Sequence, residues 1–469
     1  MYIDTHRYLS KLLSIRIYLL HLHIIITYQK KFINYQSNTT MNRFKKVCIF
    51  SLVALITISG SLFAQNNIEG KDIYIPRDLQ NNDFNNPESK WSYDRMATTE
   101  NFVVFWEKGF GKDLSKAPKL EGHNMTVDLQ NLLNRLESFY SFFRNDLKFV
   151  LPGSKSERYR MMVMLNYSLE GTAYGGDYDG VIGALWIAPN RVQDKKLNCI
   201  AHELGHSFQS QVSCDGQGET WGGGGIFEMT SQWMLWNVNP EWTTDENYHW
   251  QDFKKKFHLA FLHGSNIYHS PYVLEYWSMK HGKTIIGDLF RHGRRGEDPA
   301  MTYMRIHNLN LNQMADEMYD CYSRLQTFDF PRVKESHRKF AGEMMTDMAK
   351  AESGDGSMTP KEDKMPGTYG FNVIDIPVPV NGGKVSVIFE GLGDKNKDGF
   401  RYGLVAINDK GDATYGKMES AFKGKTSIKA SSDTKMIKMV VVGCPNDKYT
   451  PMTWNNKENR TYNYKITVK

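Results

Sequence analysis

His202, Glu203 and His206 stand in the run His-Glu-Leu-Gly-His. On a helix the two histidines lie one turn apart and point to the same side. Two neutral imidazoles so arranged can hold one Zn²⁺ at about 2.0–2.1 Å. Glu203 then sits beside the open position of the ion, where a carboxylate can take a proton from water. That is the chemistry of metal-assisted hydrolysis. Leu197, Ile200, Ala201, Leu204 and Phe208 recur at helical spacing around the motif, so the segment reads as an amphipathic helix with one buried side. Gly205 lies inside that helix, where it costs roughly 1 kcal/mol relative to Ala. Close approach of a second helix is a physical reason to keep it.

A catalytic zinc usually takes three protein ligands and keeps one position open. Gln209 and Val212 occupy the places where a third histidine pattern, HExxHxxGxxH, needs Gly and His. Asp215 and Glu219 follow in a Gly-rich polar stretch that reads as loop. Glu228 is better placed. It comes after Gly222 to Gly225 and near the start of Ile226-Phe-Glu-Met-Thr-Ser-Gln-Trp-Met-Leu-Trp236, which reads as a buried helix. A carboxylate among so many apolar neighbours needs a partner, and zinc would be one.

HExxH followed by a Glu on a second helix, with 21 residues between His206 and Glu228, resembles the gluzincin clan of zinc metallopeptidases. The resemblance implies His202, His206 and Glu228 as metal ligands and Glu203 as general base. It implies a small mixed sheet whose edge strand lies over the active-site helix, followed by a mostly helical lower lobe. It also implies a Tyr or His donor from a later helix to stabilise the oxyanion of the tetrahedral intermediate. Residues 271–290 read as that helix, with Tyr272 as the preferred donor and Tyr268, Tyr276 and His269 as rivals.

The formal charge of +6 is concentrated at the start of the chain. Residues 1–64 carry eight Lys/Arg and one Asp/Glu; the rest carries 50 basic and 51 acidic residues. No basic stripe remains to bind nucleic acid. Met41-Asn-Arg-Phe-Lys-Lys is a positive leader, Val47 to Ile58 an apolar core, and Ser61-Leu-Phe-Ala64 ends in a small residue. Residues 41–64 therefore read as a signal peptide cut near Ala64, which predicts a secreted or periplasmic protein. Residues 1–40, rich in Ile, Leu and Tyr but broken by charges, read as an over-extended start before Met41. No long apolar span follows residue 64, so no membrane span is expected in the mature chain. Cys199, Cys214, Cys321 and Cys444 lack CxxC spacing; Cys199 and Cys214 bracket the HExxH helix as a candidate disulfide.

The expected fold class is α+β. Residues 65–95 read as an extended lead-in. Residues 96–350 read as a zincin-like metallopeptidase domain, a small mixed sheet with a helical lower lobe. Its strands are Phe102–Trp106, Tyr159–Leu165 and Val181–Ala188. A helix runs over Asp128–Phe149, and a Gly/Asp/Tyr-rich loop over residues 171–183. In the resembling clan the strand just before the active-site helix, here Val181–Ala188, pairs with extended substrate. Residues 351–367 carry the Gly, Ser and Pro signals of a linker. Residues 368–469 read as a β-sandwich built on alternating strands. Within it, Asp394-Lys-Asn396-Lys-Asp398-Gly399 matches the first half of a calcium loop. Val405 stands where the closing acid belongs, so the segment reads first as a polar hairpin turn, and any Ca²⁺ there would be structural and weak.

The leading functional expectation is a secreted zinc endopeptidase. The layout also resembles uncharacterised secreted bacterial families of gut-type glycan users, which implies glycoprotein substrates of the kind cut by enhancin-like peptidases and glycan contact through the C-terminal domain. The alternative is an exported glycan- or protein-binding protein on a zincin scaffold that does not cleave.

Overall fold

The computed structural model describes residues 70–219, 221, 225–351, 354–452 and 460–469. The expected start and signal peptide, 1–40 and 41–64, lie outside the described residues, as do 65–69 of the lead-in. The architecture is mixed α+β, as expected.

The first layer is a five-stranded mixed sheet. Its strands are β1 (Met96–Thr98), β2 (Phe102–Trp106), β3 (Met161–Leu165), β4 (Ala173–Tyr178) and β5 (Ile182–Ile187), in the order β1-β2-β3-β5-β4. β2, β3 and β5 run parallel, and β1 and β4 are antiparallel edges. Every residue of β2 and β3 is buried. These strands are covered on both faces, which is why they read as unbroken apolar runs rather than alternating ones. Helix α1 (Leu129–Asn145), capped by Asp128, packs through Tyr140 on Phe102 of β2. The lead-in buries Phe84 against Phe105.

Helix α2 (Asn198–Cys214) carries the HExxH run, and α3 (Ile226–Val238) carries Glu228. Phe208 of α2 meets Tyr140 and Phe143 of α1 edge-on. Next come α4 (Tyr248–Lys256), α5 (Tyr272–His281), α6 (Ile285–His292), α7 (Pro299–Ile306) and α8 (Leu311–Leu325). The single helix expected over 271–290 is two, α5 and α6. The break is Gly282, whose φ of 93° ends α5 in a conformation that L side chains rarely adopt.

The C-terminal strands form two antiparallel sheets. One holds β8 (Phe371–Ile376), β10 (Asp398–Asn408), β11 (Ala413–Tyr415) and β13 (Thr434–Pro445). The other holds β6 (Met348–Lys350), β7 (Met358–Pro360), β9 (Gly383–Gly391), β12 (Lys423–Ala430) and β14 (Tyr464–Val468). Their facing sides share a core that includes Val387, Phe389, Tyr402, Val441 and Tyr464. The outer face of the β8-β10-β13 sheet is buried too: Val373, Val405, Val440 and Val442 belong to the core of the helical lobe. Phe371 stacks on Tyr322 of α8 at 3.9 Å, and Arg401 pairs with Asp316. Residues 351–367, read from sequence as a linker, contain β7, which pairs with β6 and β14.

One sequence expectation is corrected here. Cys199 and Cys214 are free, as are Cys321 and Cys444; they sit at opposite ends of α2, about 22 Å apart at the helical rise, far beyond disulfide reach. Residues 394–399 form the expected polar turn, closed on itself. Asp398 accepts from the Asp394 amide and pairs with Arg460, while Asp394 accepts from the Asn396 amide. No three His, Cys, Asp or Glu side chains converge there among the described residues.

Candidate metal centre

α2 and α3 meet where neither helix carries bulk. A Cβ on Gly205 would lie 2.9 Å from Ser231 Oγ and 3.1 Å from Ser231 Cα. The glycine that weakens α2 thus admits the helix bearing the third candidate ligand. His202 Nε2 stands 3.0 Å from Glu228 Oε2, His206 Nε2 stands 3.1 Å from the same oxygen, and the two Nε2 atoms are 3.2 Å apart. A tetrahedral shell with bonds of about 2.0–2.1 Å has edges of about 3.3 Å. Three donors of the types zinc prefers therefore already stand at nearly the required spacing. Among the described residues, His202, His206 and Glu228 are the group whose donor atoms converge in this way.

Electrostatics follow from this crowding. Burial alone would raise the Glu228 carboxyl, but hydrogen bonds and charge from His202 and His206 outweigh it and hold the group well below the usual carboxylate range. For His206, burial favours the neutral ring, yet Glu228 and Glu203 leave its pKa raised overall. Glu203 is raised, chiefly by burial, against the pull of the two histidines and the Gly175 amide.

Glu203 is held from above by the edge strand. The Gly175 amide of β4 donates to Glu203 Oε2 at 2.8 Å. A Cβ on Gly175 would fall 1.8 Å from the Glu203 carbonyl oxygen, so β4 can lie this close to α2 only with glycine at that position. This corrects the sequence reading twice. The edge strand over α2 is β4, within the stretch read as a loop. The strand expected at the edge, Val181–Ala188, forms β5, inside the sheet between β3 and β4.

Tyr272 is also corrected. It opens α5 facing the core, is 1% exposed, and packs against Trp236, Trp250, Phe253 and Phe328. Its hydroxyl has no hydrogen-bond partner. The rival Tyr268 is the tyrosine at the cluster. Its half-exposed ring lies 6.1 Å from that of His202, beside the Glu228 carboxylate. Burial and the Glu228 charge push that phenol up to about 12, so it keeps its proton at neutral pH. Tyr276 bonds Asp320 instead, and His269 faces His249. Sequence reasoning missed Gly175, Gln209 and Gln232. The two glutamines stand one turn from His206 and Glu228 on buried helices, and a buried carboxamide demands partners; that was the available signal.

Residues 65–469 match the profile of a family described as a family of unknown function, DUF6055. The chain belongs to that family. No curated protein matches the DUF6055 chain in sequence. Among solved structures it is similar to the ZmpB metallopeptidase from Clostridium perfringens, with 15% identity over 77% of this chain and 68% of that one at a TM-score of 0.29. It is similar to the M60 catalytic domain of Clostridium perfringens ZmpC, in complex with the sialyl T antigen, with 13% identity over 77% and 68% at 0.28. A xylan-binding domain of CBM 22 shares 14% identity over 26% of this chain and 78% of that one, at 0.17. At these scores the likenesses carry no chemistry across. No helix among the described residues is long and apolar enough to cross a membrane.

Proposed function

We propose that this protein is an exported zinc-dependent endopeptidase whose site lies within residues 96–350, with His202, His206 and Glu228 as ligands and Glu203 as general base. The observation that carries the reading is the approach of two imidazole nitrogens and one carboxylate oxygen to within 3.2 Å of one another, with Glu203 on the same helix. The donor set fits zinc in type and spacing. When bound there, zinc supplies Lewis acidity toward water and a substrate carbonyl.

This chain's own groups do the rest. The Gly175 amide fixes one oxygen of Glu203 and leaves the other for a proton. Burial raises the Glu203 pKa above the ordinary carboxylate value, the direction that suits a group that must take a proton from water and return it to a leaving amine. The Tyr268 phenol, protonated at neutral pH, serves as hydrogen-bond donor to the developing oxyanion. Glycoprotein substrates and glycan contact through residues 368–469 complete the proposal.

The test is cleavage of a peptide library by the zinc-loaded full chain and by Glu203→Gln. Chelator-sensitive cleavage is expected, lost in a variant that still binds zinc. Undiminished cleavage by Glu203→Gln would remove the general base from the proposal. Equal rates on glycosylated and deglycosylated forms of one substrate would remove the glycoprotein class.

A further inference from the structure

Each of the two histidines meets a glutamine on its far side. Gln232 lies one turn beyond Glu228 on α3 and is 3% exposed. Its Nε2 donates to the Tyr268 carbonyl oxygen at 3.1 Å. A peptide carbonyl only accepts, so the amide nitrogen must face it. That leaves Oε1 for His202 Nδ1, at 3.2 Å. The same logic orients Gln209, which is 4% exposed. Its Nε2 donates to the Phe227 carbonyl at 3.0 Å and to Ser231 Oγ at 2.9 Å, and its Oε1 faces His206 Nδ1 at 3.4 Å. An amide oxygen has no proton to give. Both Nδ1 atoms must therefore carry the hydrogen, and both Nε2 atoms present lone pairs to the point beside Glu228.

We propose that Gln232 and Gln209 are the positioning residues of the metal centre, neutral carboxamides that fix both histidines as Nδ1–H tautomers and aim both Nε2 lone pairs at one ion. The inference rests on the zinc reading above and deepens it. The chain of bonds continues outward from Gln232 with one polarity. Its second N–H donates to His249 Nε2 at 3.1 Å, so His249 Nδ1–H donates to His269 Nδ1 at 2.8 Å, and His269 Nε2–H points toward Asp252 at 3.8 Å. Glu246 Oε2, 3.4 Å from His249 Nε2, already accepts from Trp242 Nε1. The acceptors on the imidazoles are uncharged, so Glu228 supplies the charge among the ligands. Groups placed like this commonly set metal affinity by about 10- to 100-fold.

The experiment is a zinc-affinity titration of the full chain against a chromophoric chelator, for wild type, Gln232→Leu and His202→Ala. Wild type should bind one zinc, and His202→Ala should lose it. Gln232→Leu should bind about 10- to 100-fold more weakly with an unchanged circular dichroism spectrum. A folded Gln232→Leu within twofold of wild type would overturn the inference and leave the zinc reading standing. Wild-type affinity in His202→Ala would overturn the zinc reading itself. Should the leucine variant not fold, long-range ¹H–¹⁵N correlations on histidine-labelled, zinc-loaded wild type decide. Protonated Nδ1 on both residues supports the inference, and ligation through either Nδ1 overturns it.

Discussion

Gly175→Ala is the substitution whose consequence the geometry fixes most tightly. A Cβ at that position would stand 1.8 Å from the Glu203 carbonyl oxygen and 2.7 Å from its carbonyl carbon. Both neighbours are helix backbone and cannot rotate away. The contact is roughly 1.5–2 Å short of ordinary van der Waals separation, so β4 must lift from α2 by about that much. The 2.8 Å bond from the Gly175 amide to Glu203 Oε2 cannot survive such a displacement. A hydrogen bond to a charged group is worth about 1.5–3 kcal/mol, equivalent to about 10- to 150-fold in rate if it holds the base in place. The proposed ligands lie on α2 and α3 and should remain. Gly175→Ala is therefore expected to bind one zinc, to melt at a lower temperature from overpacking of about 1–3 kcal/mol, and to lose about two orders of magnitude in kcat/KM. Metal analysis, thermal denaturation and peptide cleavage read the three effects separately. Wild-type melting temperature together with wild-type turnover would show that β4 does not lie on α2 as described.

Glu203→Gln should keep zinc and lose at least about 10²-fold in kcat, the scale of general-base catalysis, measured by metal content and single-turnover cleavage. Tyr268→Phe should lower kcat by about 10²- to 10³-fold, the range for one oxyanion donor. Tyr272→Phe should leave kcat unchanged and be neutral or stabilising, because it removes a buried hydroxyl that has no partner. Equal losses in both tyrosine variants would contradict the geometry. For acid stability, burial and the nearby Arg332 push His337 down to about 4, against an ordinary value near 6.5. The unfolded chain takes up that proton first as pH falls. Stability is therefore full above about 6.5 and lost progressively toward pH 4, by about 3 kcal/mol for this residue. Urea denaturation at pH 7 and pH 4 should show a smaller acid loss in His337→Gln than in wild type, and identical losses would refute it.

The His-His-Glu cluster was legible because helical spacing is local. His202 and His206 at i and i+4 need no tertiary information to share a face, and Gly205 advertised the neighbour that proves to be α3. Glu228 was legible because a carboxylate in an apolar helix needs a partner. What failed depended on packing. β4 has Gly175, Gly176 and Asp177 at its centre, residues that sheets usually avoid. It is a strand because β5 pairs with it and α2 requires glycine beneath it. Tyr268 and Tyr272 are four residues apart in an aromatic stretch, and only the entry angle of α5 decides which ring reaches the cluster. The segment 351–367 has linker composition, yet Met358–Pro360 finds strand partners at β14 and β6 that lie beyond any local window.

The most direct measurement is anomalous diffraction at the zinc edge from crystals of the full chain grown with zinc. One peak is expected, at about 2.0–2.1 Å from His202 Nε2, His206 Nε2 and Glu228 Oε2. A zinc-replete crystal with no peak between these three atoms, or with Glu228 turned away from the imidazoles, would contradict the metal centre on which the proposed chemistry depends.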